Sequence, residues 1–270
     1  MSKLTDQGYL LSDQYQDASN LDARIELHRR FSINKTGWMR WVFDQFSFQP
    51  ASRILELGCG PGALWVENLE RVPQGWHVTL SDLSPGMVQK ARSRLQGNDR
   101  RFKCRVIDAQ EIPFADESFD GVLANHMLYH VPDMHKALSE MRRVLKPAGR
   151  FYATTVGASH LRELYDLISR FAGRDDLWDT SLPAGFSLEN GAELLSRHFS
   201  QVTLRRYEDG LVITAAAPLV AYVHSMMIAE SVLRGTRSEA FARFVESELA
   251  ASGAIVVTKD SGMFEAVRGA

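Results

Sequence analysis

The chain has 270 residues, of which 45% are hydrophobic, and a formal net charge of −2 at pH 7. This length can form one large α/β domain with an appended region and a substantial core. The charge provides no basic excess for neutralising phosphates, so we expect no nucleic-acid partner.

The cysteines and the apolar runs bear on cellular location. Cys59 and Cys104 show no disulfide or metal-site spacing, which fits a reducing cytoplasm. The first residues contain no apolar segment of the kind found in signal peptides. The longest apolar run, residues 215–229, contains Pro218 and is too short to span a bilayer. The sequence therefore predicts a cytoplasmic protein without a membrane partner.

The amino-terminal region is predicted to be helical after a polar start. Apolar periodicity indicates helices over residues 21–31 and 35–48. In the second of these helices, Trp41 and Phe43 are expected to pack against the outer face of a sheet.

A glycine-rich turn follows at residues 54–62, with the sequence I-L-E-L-G-C-G-P-G. The apolar start predicts a buried parallel strand over 53–57, and the glycines Gly58, Gly60 and Gly62 allow positive φ and a close ligand. A helix over 63–71 would direct its free amide groups at an anionic part of that ligand. The spacing also fits a dinucleotide-binding turn, so the glycines alone do not identify the nucleotide.

Asp82 is the second landmark. It ends a predicted strand over 77–81, about 20 residues after the loop, where a carboxylate can accept hydrogen bonds from ribose hydroxyls. Asp82 could instead cap a helix. Ser84 and Pro85 form the better cap and first turn, which would leave Asp82 free for the ligand.

Alternating elements predict a parallel sheet covered by helices on both faces. The remaining strands are expected at 102–107, 119–124 and 150–156, with helices near 84–96 and 133–146. The segment after the fourth strand contains Tyr129 and the histidines His126 and His130. It is expected at the carboxyl edge of the parallel strands, with the glycine loop and Asp82, and this edge is called the ligand edge below. These side chains could act as acid, base or orienting groups near neutral pH, or simply pack beneath the next helix.

The carboxyl-terminal third departs from this alternation. Helices are expected near 160–172, 187–198, 218–233 and 238–251, with strands over 201–207 and 210–214. The turn Asp260-Ser261-Gly262 between two β-like runs predicts a terminal hairpin.

Four motifs in this order resemble the class I S-adenosylmethionine-dependent methyltransferases, and within them the ubiquinone and menaquinone methyltransferases. The motifs cover most of residues 53–155 and read E-L-G-C-G-P-G, S-D-L-S-P-G-M-V-Q-K-A-R, D-A-Q-E-I-P-F-A-D-E-S-F-D and L-K-P-A-G-R. The resemblance implies a Rossmann-like, mostly parallel seven-stranded α/β sheet. Its terminal antiparallel strand would lie between the fifth strand and the strand over 201–207.

The resemblance also implies three regions within one structural domain. These are a helical lid over residues 1–48, an S-adenosylmethionine-binding core over 49–158, and a remainder over 159–270 with substrate-covering helices. S-adenosylmethionine is the implied cofactor and S-adenosylhomocysteine the product. A projecting amino-terminal helix could pack on a second copy, so a homo-oligomer is possible.

Site residues are assigned by the same resemblance. Asp108 is expected to receive the adenine amino group, or alternatively to cap its loop, with Ala109 and Gln110 beside the ring. In the lid, an arginine would suit the methionyl carboxylate through a bidentate contact. The lid candidates are Tyr15, Arg24, His28 and Arg30. The other candidates for contact with the cofactor are Glu56, Cys59, Leu83, Met87, Asn125 and His126.

The covering helices supply candidates for the acceptor pocket. Tyr222, Met226 and Met227, with Phe241 and Phe244, recur at helical spacing and would line an apolar pocket or form an ordinary core. The sequence therefore predicts methyl transfer to a small, apolar or aromatic molecule. Such an in-line displacement depends on alignment and needs no metal, and no metal-ligand motif is found.

Two other functions stay open at this stage. One is a nicotinamide-dependent oxidoreductase. Three features argue against it, namely Glu56, the D-A-Q-E-I-P-F stretch and the predicted terminal hairpin. The other is a catalytically inactive subunit that binds S-adenosylmethionine. The intact glycines and aspartates speak against the second function.

Overall fold

The computed structural model describes residues 5–9, 19–95, 99–175, 177 and 185–269. Its strands form a single seven-stranded sheet in the order β3-β2-β1-β4-β5-β7-β6. Strands β1 to β5 are parallel, and β7 runs antiparallel to both β5 and β6. The strands are β1 (Arg53–Leu57), β2 (His77–Asp82), β3 (Phe102–Val106), β4 (Phe119–Asn125), β5 (Leu145–Val156), β6 (Ser200–Ile213) and β7 (Ile255–Val267).

Helices cover both faces of the sheet and its ligand edge. They are α1 (Gln7–Tyr9), α2 (Ser19–Phe31), α3 (Trp38–Asp44), α4 (Ala63–Glu67), α5 (Pro85–Arg94), α6 (Met134–Val144), α7 (Arg162–Ala172), α8 (Gly191–Ser196), α9 (Ala216–His224), α10 (Ala229–Val232) and α11 (Arg237–Ser252). The predicted Rossmann-like fold is confirmed, including the position of the last strand between β5 and β6. Within the described ranges, no helix has the length and apolarity needed to cross a membrane.

The predicted terminal hairpin turn is wrong, because β7 continues from Ile255 to Val267 without a reversal. Asp260 lies within the strand and pairs with Arg206 of β6, while Ser261 is buried. A Cβ on Gly262 would lie 2.7 Å from the Arg205 carbonyl oxygen. The glycine therefore permits close packing of β7 against β6. Asp260 and Ser261, whose types suggested a turn, take part in the packing of the strand instead.

The predicted helix over 218–233 is interrupted after His224. The Ser225 carbonyl accepts a hydrogen bond from the Arg24 guanidinium of α2, and the Ser225 hydroxyl accepts a second one at 3.1 Å. The Arg24 guanidinium thus satisfies a carbonyl that a helix end leaves without an intrahelical partner, where α9 ends, and α10 begins at Ala229.

Three apolar clusters form the core. Two lie against the sheet, and α3 joins one of them through Val42 and Phe43. The third unites Leu27 and Phe31 of α2 with α7, α9 and α11 and with the ends of β6 and β7. The lid helix and the carboxyl-terminal helices therefore form one continuous cover over the ligand edge.

Candidate active site

A cavity of about 890 Å³ lies between the carboxyl ends of the parallel strands and the helical cover. Because parallel strands present these ends at one edge, the loops after β1, β2, β3 and β4 all contribute to its wall. The wall includes Gly58, Gly60, Asp82, Asp108 and His126. Residues far apart in the chain are thus brought to one site.

The glycine loop adopts left-handed backbone at Gly58, Gly60 and Gly62, with φ values of +66°, +53° and +75°. A Cβ on Gly58 would lie 2.7 Å from the Cβ of Met127, a distance that real side chains avoid. Gly62 does not line the cavity; it precedes α4 and packs against Ala91 of α5. Its left-handed backbone and its closeness to Ala91 give Gly62 a packing role, and its contact with a ligand stays a prediction.

Substitution of Gly58 by alanine is expected to destabilise the fold by about 2–4 kcal/mol, from left-handed strain plus the clash with Met127. Gly173 is a matched control, since its φ is +67° and a Cβ there would meet nothing within 4 Å. Gly173→Ala should cost only the strain, about 1–2 kcal/mol. Urea denaturation of both variants measures the difference. Equal costs would show that Met127 moves aside without penalty.

Asp82 lies half-buried beside the loop and already accepts two main-chain hydrogen bonds. Its Oδ2 accepts from the Gly60 amide and its Oδ1 from the Ser84 amide, both at 2.9 Å. Ser84 does cap α5, as predicted, but Asp82 is not free of structural contacts. Burial raises the pKa of Asp82, against the lowering effect of the hydrogen bonds. Each carboxylate oxygen retains a lone pair for a ligand in the cavity.

Asp108 is held in a similar way after β3. Its Oδ1 accepts from the Gln110 amide at 2.9 Å, and the Gln110 side chain donates to both carboxylate oxygens. Gln7 of α1 donates to Oδ2 at 3.3 Å. Ala109 lines the cavity, whereas Gln110 does not and instead orients Asp108. The Gln110 side chain is thus turned toward its own loop and away from the cavity in which the adenine ring was predicted.

Glu56 and Asn125 form a buried polar pair beneath the glycine loop. Glu56 accepts from Trp65 Nε1 at 2.6 Å and from Asn125 Nδ2 at 2.8 Å. Burial raises the pKa of Glu56 to about 7. The Asn125 Oδ1 is buried and has no hydrogen-bond partner among the described residues. An unpaired buried acceptor is costly, so it marks a position where a ligand donor fits.

The lid helix α2 closes the opposite side of the cavity. Arg24 and His28 line the cavity, and Arg24 bonds Ser225 at the end of α9. Just after α2, Ser32 and the Asn34 amide donate to the Asp209 carboxylate of β6. Helix α2 is therefore anchored at its middle and just after its carboxyl end. The Arg24 guanidinium, predicted for a cofactor carboxylate, is already committed in part to the protein.

Asp209 forms a buried ion pair with Lys259, whose side chain lines the cavity. The two side chains are 0% and 6% exposed. Burial lowers the pKa of Lys259, partly offset by Asp209. Burial alone would raise the pKa of Asp209, but the hydrogen bonds from Lys259, Ser32 and Asn34 outweigh the effect of burial, and the pKa is lowered. The sequence alone had not singled out either residue.

Three histidines gather near this pair. They are His28 from α2, His126 after β4 and His160 after β5, and all line the cavity. Burial and the Lys259 ammonium lower the pKa of His28 to about 3 and of His126 to about 4. Burial also lowers the pKa of His160 well below its usual value. All three imidazoles are therefore neutral at pH 7, and no group of three or more ligands among the described residues is arranged to hold a metal.

The neutral state of His126 predicts acid sensitivity. Between about pH 6.5 and 4 the unfolded chain binds a proton on this residue and the folded protein does not. The stability of the fold therefore decreases as the pH is lowered through this range. His126→Asn should reduce that slope by about 1.4 kcal/mol per pH unit. Asparagine tolerates the φ of +49° at this position.

Urea denaturation between pH 6.5 and 5 measures this slope. His77→Gln removes an exposed imidazole and is the variant with which the slope of His126→Asn is compared. Glu56, whose raised pKa of about 7 favours the fold as the pH falls from 7 to 4.5, acts equally in all variants. An unaltered slope in His126→Asn would show that His126 is charged in the folded protein.

The other predicted site residues divide between wall, core and surface. Cys59, Leu83, Met87, Tyr129, His130, Tyr222, Met226 and Met227 line the cavity. Phe241 and Phe244 do not; they pack with Phe171 in the carboxyl-terminal core. Arg30 lies exposed over the Phe31 ring, away from the cavity, and Tyr15 lies outside the described residues.

The strand order with antiparallel β7, the glycine loop, and the acidic ends of β2 and β3 are the features expected from the sequence for a class I methyltransferase domain. Residues 55–153 match the family model described as "Methyltransferase domain". The predicted methyltransferase domain is thereby confirmed for residues 55–153.

Known proteins support the same class. A ubiquinone/menaquinone biosynthesis C-methyltransferase UbiE of Geotalea daltonii is 30% identical over 56% of this chain and 64% of its own length. The UbiE of Vibrio parahaemolyticus is 36% identical over 42% of this chain and 44% of its own. The chain thus spans less than two thirds of the length of either relative.

Solved structures show the fold. The YcgJ protein from Bacillus subtilis gives a TM-score of 0.58 at 17% identity, covering 86% of this chain and 98% of that one. Phosphoethanolamine N-methyltransferase 2 of Haemonchus contortus, solved with S-adenosyl-L-methionine, gives 0.61 at 20% identity, covering 100% of this chain and 61% of that one.

Proposed function

We propose that this protein transfers a methyl group from S-adenosylmethionine to a small, largely apolar acceptor enclosed by the helical cover. One observation carries the proposal: a single cavity joins the glycine loop and Asp82 to the side chains of Tyr222, Met226 and Met227. The first wall suits a nucleoside. The second wall suits an apolar molecule, because methionine side chains adapt their packing to different ligands.

The residues present fit the proposed cofactor. Asp82 and Asp108 have carboxylate lone pairs left for ribose hydroxyls and an adenine amino group. Gly58 provides backbone without a side chain, and Met127 already fills the space that a Cβ would need. The unpaired Asn125 Oδ1 is suited to an ammonium donor, with the Glu56 carboxyl beside it. We therefore assign the cofactor to this half of the cavity.

When bound, S-adenosylmethionine supplies an electrophilic methyl group on a positively charged sulfur. The chain's own contribution is to exclude water and to align the acceptor, which can supply several powers of ten in rate. Trp38, stacked 5.3 Å from Trp41 and 5.2 Å from His126 between ring centroids, helps to close the site. The neutral imidazole of His126 and the neighbouring Tyr129 and His130 are the candidates for orienting the acceptor.

The acceptor is proposed from this chain's own residues. The named activity of the relatives is C-methylation in ubiquinone and menaquinone biosynthesis. The family model ends at residue 153, before α7, α9 and α11. Aromatic small molecules suit the lining of Trp38, Tyr222 and the methionines, and a quinol ring carbon is one acceptor within that class.

Calorimetric titration with S-adenosylmethionine, S-adenosylhomocysteine and NAD tests the cofactor. Binding of the first two and not of NAD is expected. Incubation of the protein and labelled methyl donor with a small-molecule extract then tests transfer, with a labelled small product expected. Binding of NAD would indicate an oxidoreductase, and binding without any labelled product would indicate an inactive subunit.

A further inference from the structure

His160 lies near the end of the loop that leads from β5 to α7, within the cavity wall. Its Nδ1 accepts a hydrogen bond from the Asp260 main-chain amide at 3.2 Å, and the Ser261 hydroxyl lies 3.4 Å away. A neutral imidazole whose Nδ1 accepts must carry its hydrogen on Nε2. The main chain of β7 therefore makes His160 a hydrogen-bond donor through Nε2. Among the described residues, no partner takes that hydrogen.

The loop around His160 is held tightly in place. A Cβ on Gly157 would lie 2.0 Å from the Asp260 carboxylate, and the Gly157 amide donates to the Asp260 carbonyl at 2.9 Å. The Leu161 amide, in turn, donates to the Thr258 carbonyl at 2.9 Å. The loop is thus bonded to β7 on both sides of His160, and β7 also contacts Nδ1, so the Nε2 donor has a defined direction.

The groups around His160 make an oxygen the suitable partner. Lys259 precedes Asp260 in β7, and its ammonium also lines the cavity. His28, with its ring centroid 6.4 Å from that of His160, is a neutral imidazole that packs edge-on to Tyr222. This end of the cavity therefore presents N–H donors and the positive charges of Lys259 and Arg24 beside apolar and aromatic walls. The carboxylates that line the described part of the cavity belong to β1, α4 and the ends of β2 and β3 (Glu56, Glu67, Asp82 and Asp108), and Asp209 lies behind Lys259.

We propose that His160 is a specificity-determining residue of the acceptor site, whose Nε2–H donates to an uncharged or anionic oxygen of the acceptor. This inference rests on the proposed function, because it names the chemistry of the molecule that is methylated. An oxygen accepts the His160 hydrogen and is favoured by the nearby ammonium. A protonated amine offers no lone pair to Nε2–H and is repelled by Lys259. The site therefore selects oxygen-bearing acceptors over cationic amines.

Three probes of nearly the same shape test the selection: naphthalen-1-ylmethanol, its protonated amine counterpart naphthalen-1-ylmethylamine, and 1-ethylnaphthalene. Each is titrated calorimetrically at pH 7 into protein saturated with S-adenosylhomocysteine. The wild type is expected to bind the alcohol about tenfold more tightly than either other probe, the effect of one satisfied hydrogen bond in a buried site.

Two variants separate the donor from the shape of the ring. His160→Phe keeps a flat ring and removes the donor, so the preference for the alcohol should disappear. His160→Gln keeps an N–H donor near the position of Nε2, so at least half of the preference, on a logarithmic scale, should remain. Binding of S-adenosylhomocysteine should be the same in all three proteins, which excludes a general loss of the fold.

Two results would overturn the inference. One is a wild type without a preference for the alcohol, including one that binds none of the probes. The other is a His160→Phe variant that keeps the preference. Failure of the proposed function is recognised separately, as failure of S-adenosylhomocysteine to bind. In that case the probes are titrated into the free protein, and the same outcomes decide the role of His160.

Discussion

Replacement of Lys259 by methionine is expected to lower the free energy of unfolding by about 3–5 kcal/mol, because it leaves a buried carboxylate without its counter-charge. Asp209 is fully buried, and Lys259 is the cation paired with it. Ser32 and Asn34 still donate to Asp209 in the variant, but neither carries a charge. The loss should shrink at low pH, where Asp209 takes up a proton instead.

The exposed pair Lys90–Asp22 provides the control for Lys259. Its side chains are 39% and 48% exposed, so Lys90→Met should cost less than about 1 kcal/mol. A cycle with Asp209→Asn and the double variant measures the coupling by urea denaturation at pH 7. The double variant should be more stable than Lys259→Met alone. A Lys259→Met protein as stable as the wild type would mean that Asp209 is protonated at pH 7.

Replacement of Asp82 by alanine is expected to weaken binding of S-adenosylmethionine about a hundredfold, and by more than about tenfold at least. The side chain would lose its bonds to the ribose, and the Gly60 and Ser84 amides would lose their acceptor. Both effects act on the cofactor, because the Gly60 amide belongs to the loop that receives it. Calorimetric titration measures the affinity, and a thermal melt measures the accompanying change in stability.

Asp133→Ala is the control for Asp82→Ala, because it removes an aspartate that stabilises the fold without lining the cavity. Asp133 caps α6 by accepting from the Lys136 amide at 2.9 Å and does not line the cavity. Its loss should cost about 1 kcal/mol of stability without affecting the affinity for the cofactor. An unchanged affinity in Asp82→Ala would place the ribose elsewhere and remove the basis of the proposed site.

The ligand edge could be predicted because its signals are local. Glycines before a helix, and an aspartate at each of two strand ends, depend on short stretches of backbone that parallel topology then brings together. Asp82 and Asp108 accordingly lie in one cavity wall with Gly58 and Gly60. Gly62 and Gln110 were predicted at the ligand from their spacing in the sequence, but neither lines the cavity. Gly62 instead lies against Ala91, and the Gln110 side chain donates to Asp108.

The acceptor end had no such signal. His160 is one polar residue in a loop, and Lys259 and Asp209 look like ordinary charges within alternating strands. Their importance comes from burial and from partners 50 to 100 residues away in the chain. The same reason explains the helix that ends at Ser225 under Arg24, and the Asp-Ser-Gly segment that continues as a strand.

The amino-acid sequence by itself determined the alternating sheet and the meeting of the glycine loop with Asp82 and Asp108 at one edge of it, since hydrophobic period and turn residues act over a few positions. Tertiary structure decided the acceptor end, where the lid, β5, β6 and β7 bring three neutral imidazoles and an ion pair together. Their protonation states and donor directions depend on burial and on long-range partners, which arise only when the chain is folded.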